Sequence, residues 1–167
     1  MQIRPAVPED APAIADIYAQ GVAGRQATFE TDPPPPARFA ERIEGGEPLI
    51  VAERDGAVVG WASILPYSDR CAYSGVGEYT IYVDGAAQGA GVGRELLERL
   101  LAMAVERGYY KLTSRIFPSN TASLALARRC GFREVGIHRR HGRLDGEWRD
   151  VVVVEVLVGD AAAGADR

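Results

Sequence analysis

A glycine-rich segment between a predicted strand and a predicted helix constrains this chain most. Residues 80–83 (Thr-Ile-Tyr-Val) favour a strand. Apolar side chains recur at helical spacing over residues 92–108 and predict a long helix. Between them Gly89, Gly91 and Gly93 lack a Cβ, so backbone N–H groups can approach a ligand closely. Because a helix N-terminus attracts anions, the segment predicts a phosphate or pyrophosphate site.

Two common phosphate-binding loops do not fit this segment. A Walker loop ends in Gly-Lys-Ser/Thr, whereas Gly93 is followed by Arg94 and Glu95. A dinucleotide-binding loop spaces its glycines as G-x-G-x-x-G, and the spacing here is G-x-G-x-G. A glycine-rich turn without a ligand stays open as an alternative. Three glycines disfavour that alternative, because each glycine loses more conformational entropy on folding than another residue would, and a plain turn does not require three of them.

Length and composition narrow the class of protein. The 167 residues, with a net charge of −4, suit one domain and give no support for nucleic-acid binding. No apolar run is long enough to span a membrane, and the N-terminus shows no signal peptide. Cys71 and Cys130 lack metal-type spacing, which predicts reduced thiols, no metal site and a cytoplasmic location. We expect one domain over residues 1–158 and a disordered tail over residues 159–167.

The predicted order of elements is β-α-α-β-β-β-α-β-α-β-β. Asp55-Gly56 and Asp145-Gly146 are hairpin signals that separate two pairs of strands. Residues 21–31 are expected to be irregular, and the prolines at 33–36 form a stiff connector that excludes helix. The predicted strands are 3–5, 49–53, 58–65, 80–83, 111–117, 133–143 and 148–156. The first predicted helix starts at residue 8, and the other three cover residues 37–43, 92–108 and 121–130.

Two sequence blocks resemble one family. Gln88-x-x-Gly91-x-Gly93 resembles the acetyl-CoA pyrophosphate loop of the GNAT superfamily of N-acetyltransferases. Asn120-x-x-Ser123, followed by Cys130-Gly131-Phe132, is similar to a second block of that family. The resemblance covers residues 2–158. It implies the mixed α/β GNAT fold, a twisted central sheet of about seven strands flanked by about four helices.

The resemblance also implies that acetyl-CoA is the co-substrate. Asn120 and Ser123 would contact its pantetheine arm, although Asn120 or Thr121 capping the following helix explains the same residues without a ligand. The residues expected to contact acetyl-CoA are Ile81, Tyr82, Val83, Gln88, Gly89, Ala90, Gly91, Val92, Gly93, Arg94, Asn120 and Ser123.

Within the family the match narrows to one branch. Residues 24–31, 66–73, 77–78 and 142–151 are similar to the phosphinothricin N-acetyltransferases, and closer still to the arsinothricin-resistance branch. The resemblance implies acetyl transfer to the α-amine of a small amino acid with a second anionic group, a role in resistance, and a homodimer. It does not rank phosphinothricin, arsinothricin, methionine sulfoximine and methionine sulfone as substrates.

Glu78 is the candidate general base. An ammonium group must lose a proton before it can attack a thioester. Glu78 stands at the start of the strand that leads to the glycine loop, and the family resemblance implies a base at this position. A solvated glutamate on an exposed strand is the alternative. A backbone N–H near Ile81 or Tyr82 would stabilise the oxyanion.

Arg70 and Tyr73 are the candidate anion-binding pair. A guanidinium offers two parallel hydrogen bonds to a carboxylate, phosphinate or arsinate, and a phenol adds a third. The alternative is a surface arginine beside an anchoring tyrosine. Phe29 is either a pocket wall or a core residue, and His141 is the one pocket candidate on a basic strand that is otherwise expected to face solvent or a dimer partner.

One position departs from the family pattern. Ala127 stands where many members carry a tyrosine, and phosphinothricin acetyltransferases a histidine, as the acid for the CoA thiolate. A thiolate can leave without full protonation, so this departure does not exclude activity. Cys71 as an acyl-accepting nucleophile is less favoured than direct transfer. Acetylation of a protein N-terminus and a non-catalytic acetyl-CoA-binding module stay open as alternatives.

Overall fold

A seven-stranded mixed sheet forms the centre of the computed structural model, which describes residues 1–164. The strand order is β1-β2-β3-β4-β5-β7-β6. The strands are β1 Gln2–Pro5, β2 Leu49–Arg54, β3 Ala57–Pro66, β4 Val76–Val83, β5 Lys111–Ile116, β6 Arg133–Leu144 and β7 Glu147–Leu157. The helices are α1 Ala11–Gly24, α2 Pro36–Glu44, α3 Val92–Glu106, α4 Thr121–Arg129 and α5 Asp160–Ala163. The predicted mixed α/β architecture is confirmed.

Only β4 and β5 are parallel neighbours in this sheet. The connection between them passes through α3, as a parallel crossover requires. The β2–β3 and β6–β7 pairs are hairpins whose turn residues have positive φ: Asp55 at 52°, Gly56 at 78°, Asp145 at 50° and Gly146 at 81°. Two successive residues with positive φ match the right-handed twist of the flanking strands, so both predicted hairpins are confirmed.

Helices cover both faces of the sheet. On one face α3 buries Leu96, Leu97 and Leu100, which are 0% exposed, against β2, β3 and β4. On the other face α1 and α2 enclose an aromatic cluster in which Phe39 and Trp61 are each 1% exposed. Each helix therefore presents one apolar stripe to the sheet, as the spacing of its apolar residues requires.

The first helix is longer than the sequence indicates. Helix α1 continues to Gly24, so the first part of the segment expected to be irregular at residues 21–31 is helical. Gly21 is a packing requirement here, because a Cβ on it would lie 2.6 Å from Tyr82 Cε1. The helix ends at Gly24, and Arg25, which follows it, adopts the left-handed conformation with φ 56°.

One further expectation is corrected. The proline connector at residues 33–36 does not exclude helix throughout, because Pro36 is the first residue of α2, where its missing N–H is not needed. The segment expected to be a disordered tail, residues 159–167, begins with the short helix α5; residues 165–167 lie outside the described part of the chain. Within residues 1–164, no helix combines the length and apolar character that a membrane span needs.

Candidate active site

The sheet opens where β4 and β5 separate. The two strands pair only from Val76 with Lys111 to Glu78 with Thr113. Just beyond, the Ser114 hydroxyl donates a hydrogen bond of 3.1 Å to the Tyr79 carbonyl and replaces the lost ladder contact. Backbone groups of successive strand residues point alternately to the two neighbouring strands. The N–H of Ile81, two residues after Tyr79, therefore faces the opening, whereas that of Tyr82 faces β3.

A cavity of about 540 Å³ lies at this opening and is called the Glu78 cavity. It is bounded by the sheet on one side and by the loop that follows α1 on the other. Its lining includes Tyr18, Thr28, Phe29, Glu30, Arg42, Trp61, Glu78, Thr80, Ile81, Tyr82, Arg115, Phe117, Asn120, Ser123 and His141.

Glu78 is held in the Glu78 cavity by an ion pair that the sequence analysis missed. Arg115 Nη2 donates to Glu78 Oε1 at 2.7 Å and Oε2 at 2.9 Å, and its Nε donates to Oε1 at 3.1 Å. Arg115 Nη1 lies 3.5 Å from His141 Nε2. The Glu78 side chain is 23% exposed and that of Arg115 48%. The carboxylate thus reaches the cavity with a guanidinium beside it.

A second arginine lines the Glu78 cavity but is committed to protein partners. Arg42 forms an ion pair with Glu47 and donates a 3.1 Å hydrogen bond to the Ser63 hydroxyl, which is 3.1 Å from the Thr80 hydroxyl. Its guanidinium also lies over the ring of Trp61, 5.7 Å from the centroid. These contacts fix Arg42 at the wall.

Buried phenols close part of the same wall. The Tyr82 hydroxyl donates to the Ala27 carbonyl at 3.4 Å, and the Tyr18 hydroxyl is 3.3 Å from that of Thr28. Burial raises the pKa of Tyr82 well above its ordinary value, and the nearby Tyr18 adds to the shift. Burial also raises the pKa of Tyr18. Both phenols are therefore neutral hydrogen-bonding groups at neutral pH.

A second cavity, of about 590 Å³, follows the glycine loop and is called the glycine-loop cavity. Gly91 precedes α3 with φ 83°, and no side chain caps the helix start. The first N–H groups of this fifteen-residue helix therefore keep no capping partner and face a ligand or solvent. The Gly93 position is also close-packed, since a Cβ there would lie 3.2 Å from Leu126.

The glycine loop is anchored to α1 by side-chain hydrogen bonds. Gln20 donates from Nε2 to Asp84 Oδ2 at 2.8 Å and accepts from the Gly85 N–H at 2.9 Å. Asp84 also accepts from the Ala86 N–H at 2.9 Å. These bonds connect the residues that precede the glycine loop to α1.

The two cavities meet. Ala27, Ile81, Tyr82, Asn120 and Ser123 line both of them. The Asn120 side-chain oxygen Oδ1 accepts from the Ser123 N–H at 3.2 Å, so Asn120 does cap α4. The capping interpretation is therefore confirmed, and contact of Asn120 with the pantetheine arm stays a prediction.

Most of the predicted acetyl-CoA residues lie around these cavities. The glycine-loop cavity is lined by Ile81, Tyr82, Val83, Gln88, Gly89, Gly91, Val92, Gly93, Asn120 and Ser123. Ala90 and Arg94 do not line it. Arg94 is instead paired with Glu98 at 2.7 Å, one helical turn away.

The substrate candidates divide into two groups. Phe29 and His141 line the Glu78 cavity, and Phe29 also packs edge-on against Phe117, so it is both wall and core. Arg70 and Tyr73 do not line either cavity; they lie on an exposed loop where Tyr73 packs against Tyr67. This chain alone therefore does not bring the predicted anion-binding pair to Glu78.

Three other residues bear on the chemistry. Ala127 is 0% exposed in the core and contributes nothing to either cavity. Cys71 is exposed on the same loop as Arg70, outside both cavities, which further disfavours a cysteine nucleophile. Burial raises the pKa of the Cys130 thiol. Within residues 1–164, no three His, Cys, Asp or Glu side chains cluster in a way that would hold a metal.

Comparisons with known proteins agree on a family. The sequence model of the Acetyltransferase (GNAT) family matches residues 15–132. A phosphinothricin N-acetyltransferase of Alcaligenes faecalis is 39% identical over 152 residues, 88% of this chain and 77% of the relative.

Two solved structures share the fold. One is a phosphinothricin acetyltransferase from Sinorhizobium meliloti in complex with acetyl-CoA, with a TM-score of 0.90 and 32% identity. The match covers 97% of this chain and 90% of that chain. The other is a ribosomal-protein-alanine N-acetyltransferase from Brucella melitensis, with a TM-score of 0.90 and 33% identity. The match covers 95% of this chain and 100% of that chain.

Proposed function

The chain belongs to the GNAT acetyltransferase family, and on that premise we propose that it transfers acetyl from acetyl-CoA to the α-amine of a small amino acid. The observation that carries the proposal is the junction of the two cavities. Glu78 lines one cavity, the glycine loop lines the other, and Ile81 on the opened strand lines both. This arrangement supports a reaction in which Glu78 accepts the proton on one side of Ile81 and the glycine loop holds the pyrophosphate on the other.

The residues of the glycine-loop cavity fit acetyl-CoA. The α3 N-terminus offers uncapped N–H groups, and the Gly91 position, with φ 83°, leaves open space where a side chain would stand. These are the features that a pyrophosphate needs. Gln88, Gly89, Gly91 and Gly93 would hold the pyrophosphate, and Val83, Asn120 and Ser123 the pantetheine arm. Acetyl-CoA supplies the acetyl group as an activated thioester.

Glu78 is proposed to take the first proton. The substrate ammonium gives one proton to the Glu78 carboxylate, directly or through water, and the free amine then attacks the acetyl carbon. The C–N bond forms first and places the negative charge on the carbonyl oxygen, and the C–S bond then breaks with the electron pair on sulfur. The nitrogen loses its second proton, the thiolate takes up one, and the balance is one proton released per turnover. The Ile81 N–H is proposed to donate to the oxyanion.

Water is proposed to protonate the departing thiolate. Ala127 offers no acidic group, and the phenols of Tyr18 and Tyr82 are held in other hydrogen bonds. A thiol is acidic enough that a partly protonated or free thiolate can leave near neutral pH. This chain therefore relies less on a leaving-group acid than relatives with a tyrosine or histidine at this position.

The substrate is proposed to be an amino acid with a second anionic group, of the phosphinothricin or arsinothricin type, acetylated for resistance. The identity to a phosphinothricin N-acetyltransferase supports this. Arg70 and Tyr73 stay predicted anion ligands that must approach the Glu78 cavity by loop movement or from a second copy. A homodimer is proposed with them, and the exposed apolar residues Ile137 and Trp148 on β6 and β7 support it. A cytoplasmic location is proposed because both cysteines are free.

Release of free thiol from acetyl-CoA over a panel of acceptors tests the proposed function. The panel contains phosphinothricin, arsinothricin, methionine sulfoximine, methionine sulfone, the common amino acids and an alanine-initiated peptide. We expect turnover of free amino acids, with the acetyl group on the α-nitrogen by mass spectrometry. Turnover of the peptide alone would establish the second candidate function, protein N-terminal acetylation, which the likeness to the Brucella melitensis enzyme favours. Tight acetyl-CoA binding without any turnover would indicate a non-catalytic module.

A further inference from the structure

Arg115 has no role in the reaction as proposed so far, yet it is the closest cation to the proposed base. Its guanidinium makes three hydrogen bonds to Glu78 inside the Glu78 cavity. A structural ion pair between exposed side chains contributes little to stability. The position of this pair, at the point where β4 and β5 separate, therefore calls for a functional reason.

We propose that Arg115 binds the α-carboxylate of the acceptor, so that the substrates of this chain are free α-amino acids and not peptides, amino-acid amides or simple amines. The inference rests on the proposed function, because it assigns the partner of the group next to the acetylated nitrogen. Arg115 is thereby a substrate-binding residue that decides specificity.

The charges of the pair match those of an amino acid. Glu78 and Arg115 place a negative and a positive group side by side in the Glu78 cavity. An α-amino acid carries an ammonium and a carboxylate on one carbon, so its positive group can face Glu78 while its negative group faces Arg115. When it binds, the ammonium pairs with Glu78 and the carboxylate with Arg115, so one ion pair becomes two and these two groups add no net charge to the cavity. An amide would add a positive charge beside Arg115 and give the guanidinium no anion.

Arg115 also has donors to spare. A guanidinium carries five N–H groups and no acceptor. Nε and Nη2 contact Glu78, and Nη1 lies 3.5 Å from His141 Nε2, which must be the acceptor. The second hydrogen of Nη1 has no partner among residues 1–164. With 48% of its side chain exposed, Arg115 can turn its planar fork toward a carboxylate without breaking core packing.

The other arginines are less suited to this role. Arg42 lines the Glu78 cavity, but its Nε and Nη2 are bound to Glu47 and its Nη2 also to Ser63. Arg70 lies outside the lining. Arg115 is thus the arginine that both lines the cavity and adjoins the group expected to receive the amine proton.

The test compares methionine sulfone with its primary amide, which differ in the carboxylate alone. The measurement is kcat/KM for both acceptors with wild type, Arg115→Met, Arg115→Lys and Arg139→Met. Arg139 is an exposed arginine on the same strand as His141 and lies outside the Glu78 cavity, so its variant is the matched control. Acetyl-CoA affinity is measured for every variant by calorimetry and reports on folding.

The ratio of the two kcat/KM values separates substrate binding from support of the base. We expect Arg115→Met to lower kcat/KM for the free acid by ~10- to 100-fold, mainly through KM, and to change that for the amide by less than ~5-fold. Arg115→Lys should recover part of the loss, and Arg139→Met should behave as wild type.

Three results would contradict the inference. Equal losses for acid and amide in Arg115→Met would make Arg115 a support for Glu78 and nothing more. Equal kcat/KM of wild type for acid and amide would show that the carboxylate is not recognised, while leaving amino-acid acetylation intact. Loss of the acid-over-amide preference in Arg70→Ala but not in Arg115→Met would assign the carboxylate to Arg70. Failure of the proposed function is a separate result, in which wild type acetylates no amino acid at all.

Discussion

Glu78 is the last residue of β4 that pairs on both sides. It faces Leu65 on β3 and Thr113 on β5, and the strands separate immediately afterwards. Its backbone is therefore held by two ladders while its side chain reaches the Glu78 cavity. A reactive group on a rigid element keeps its position more closely than one on a loop. This is the physical reason to expect the proposed base here and not on the exposed Arg70 loop.

We expect Glu78→Gln to lower turnover by ~10²- to 10⁴-fold at neutral pH, because the amide keeps the size of the carboxylate but cannot accept the proton. The deficit should shrink as the pH rises and a larger fraction of the amine is already deprotonated in solution. Rates over a range of pH, with acetyl-CoA affinity as the control, check this. A rate close to wild type at neutral pH would place the base elsewhere.

Gly91 allows a test of the pyrophosphate cradle in which charge is the only variable. We expect Gly91→Asp to weaken acetyl-CoA binding strongly, and Gly91→Asn to weaken it much less. Both side chains tolerate the φ of 83° better than other non-glycine residues, and they are nearly the same size. Only aspartate adds a negative charge facing the phosphates. Calorimetric titration with acetyl-CoA measures both, and equal affinities would disprove the cradle assignment.

At the scale of elements, contact between α1 and β4 depends on the absence of one side chain. Gly21 lies against the Tyr82 ring, which itself stacks on Trp61 at 5.2 Å between ring centroids. The ring cannot retreat without disturbing that stack. Helix α1 also carries Gln20, which anchors the glycine loop. The position of α1 against the sheet therefore affects both cavities.

We expect Gly21→Ala to destabilise the fold, although alanine is favoured over glycine inside a helix by about 1 kcal/mol. The added Cβ would lie 2.6 Å from Tyr82 Cε1, so the ring or the helix must move. Gly24→Ala, in the same helix with no atom within 4 Å of the added Cβ, is the control and should be neutral or stabilising. Urea unfolding without ligand compares the two. A stabilising Gly21→Ala would show that Tyr82 shifts freely.

At the scale of the whole molecule, local signals were sufficient for most of the architecture. Asp55-Gly56 and Asp145-Gly146 specify turns through their own positive φ angles. The apolar spacing of α3 and the glycines before it likewise act within a few residues of chain. These features depend on neighbours in sequence, so they were predictable from the residues themselves. The central sheet of about seven strands was instead implied by the family resemblance, and the structure has seven strands.

The remaining features depend on contacts between distant residues. Arg115 meets Glu78 across 37 positions, through the parallel register of β4 and β5, which no local pattern encodes. Thr113 pairs with Glu78 in that register, and Arg115, two residues later, points to the same face of the sheet as Thr113. This placement can be deduced only once the register is known. Gly21 is similar, since the close approach of the Tyr82 ring, and not any neighbour in sequence, is what requires a glycine within α1. The exposed position of Arg70 likewise follows from the path of its loop.

The N-terminal edge of the molecule is joined by one arginine. Arg4 on β1 donates to Asp10 Oδ2 at 2.7 Å and Oδ1 at 2.9 Å, and it contacts Glu53 on β2 at 2.8 Å. Asp10 also accepts from the Val7 N–H at 2.9 Å, just before α1. Burial alone would raise the pKa of Asp10, but the hydrogen bonds from Arg4 and Val7 outweigh it, and the pKa lies below its ordinary value.

The lowered pKa of Asp10 predicts how the free energy of unfolding depends on pH. Because the pKa of Asp10 is lower in the folded than in the unfolded chain, its contribution is complete above the ordinary value of 3.8 and is lost as the pH falls through the folded value. We expect Asp10→Asn to lower the free energy of unfolding by about 1–3 kcal/mol at pH 7. The difference from wild type should shrink below about pH 4. Urea unfolding over a range of pH measures it, with Asp16→Asn, an exposed aspartate of α1, as control. A difference independent of pH would mean that the charge of Asp10 does not stabilise this edge.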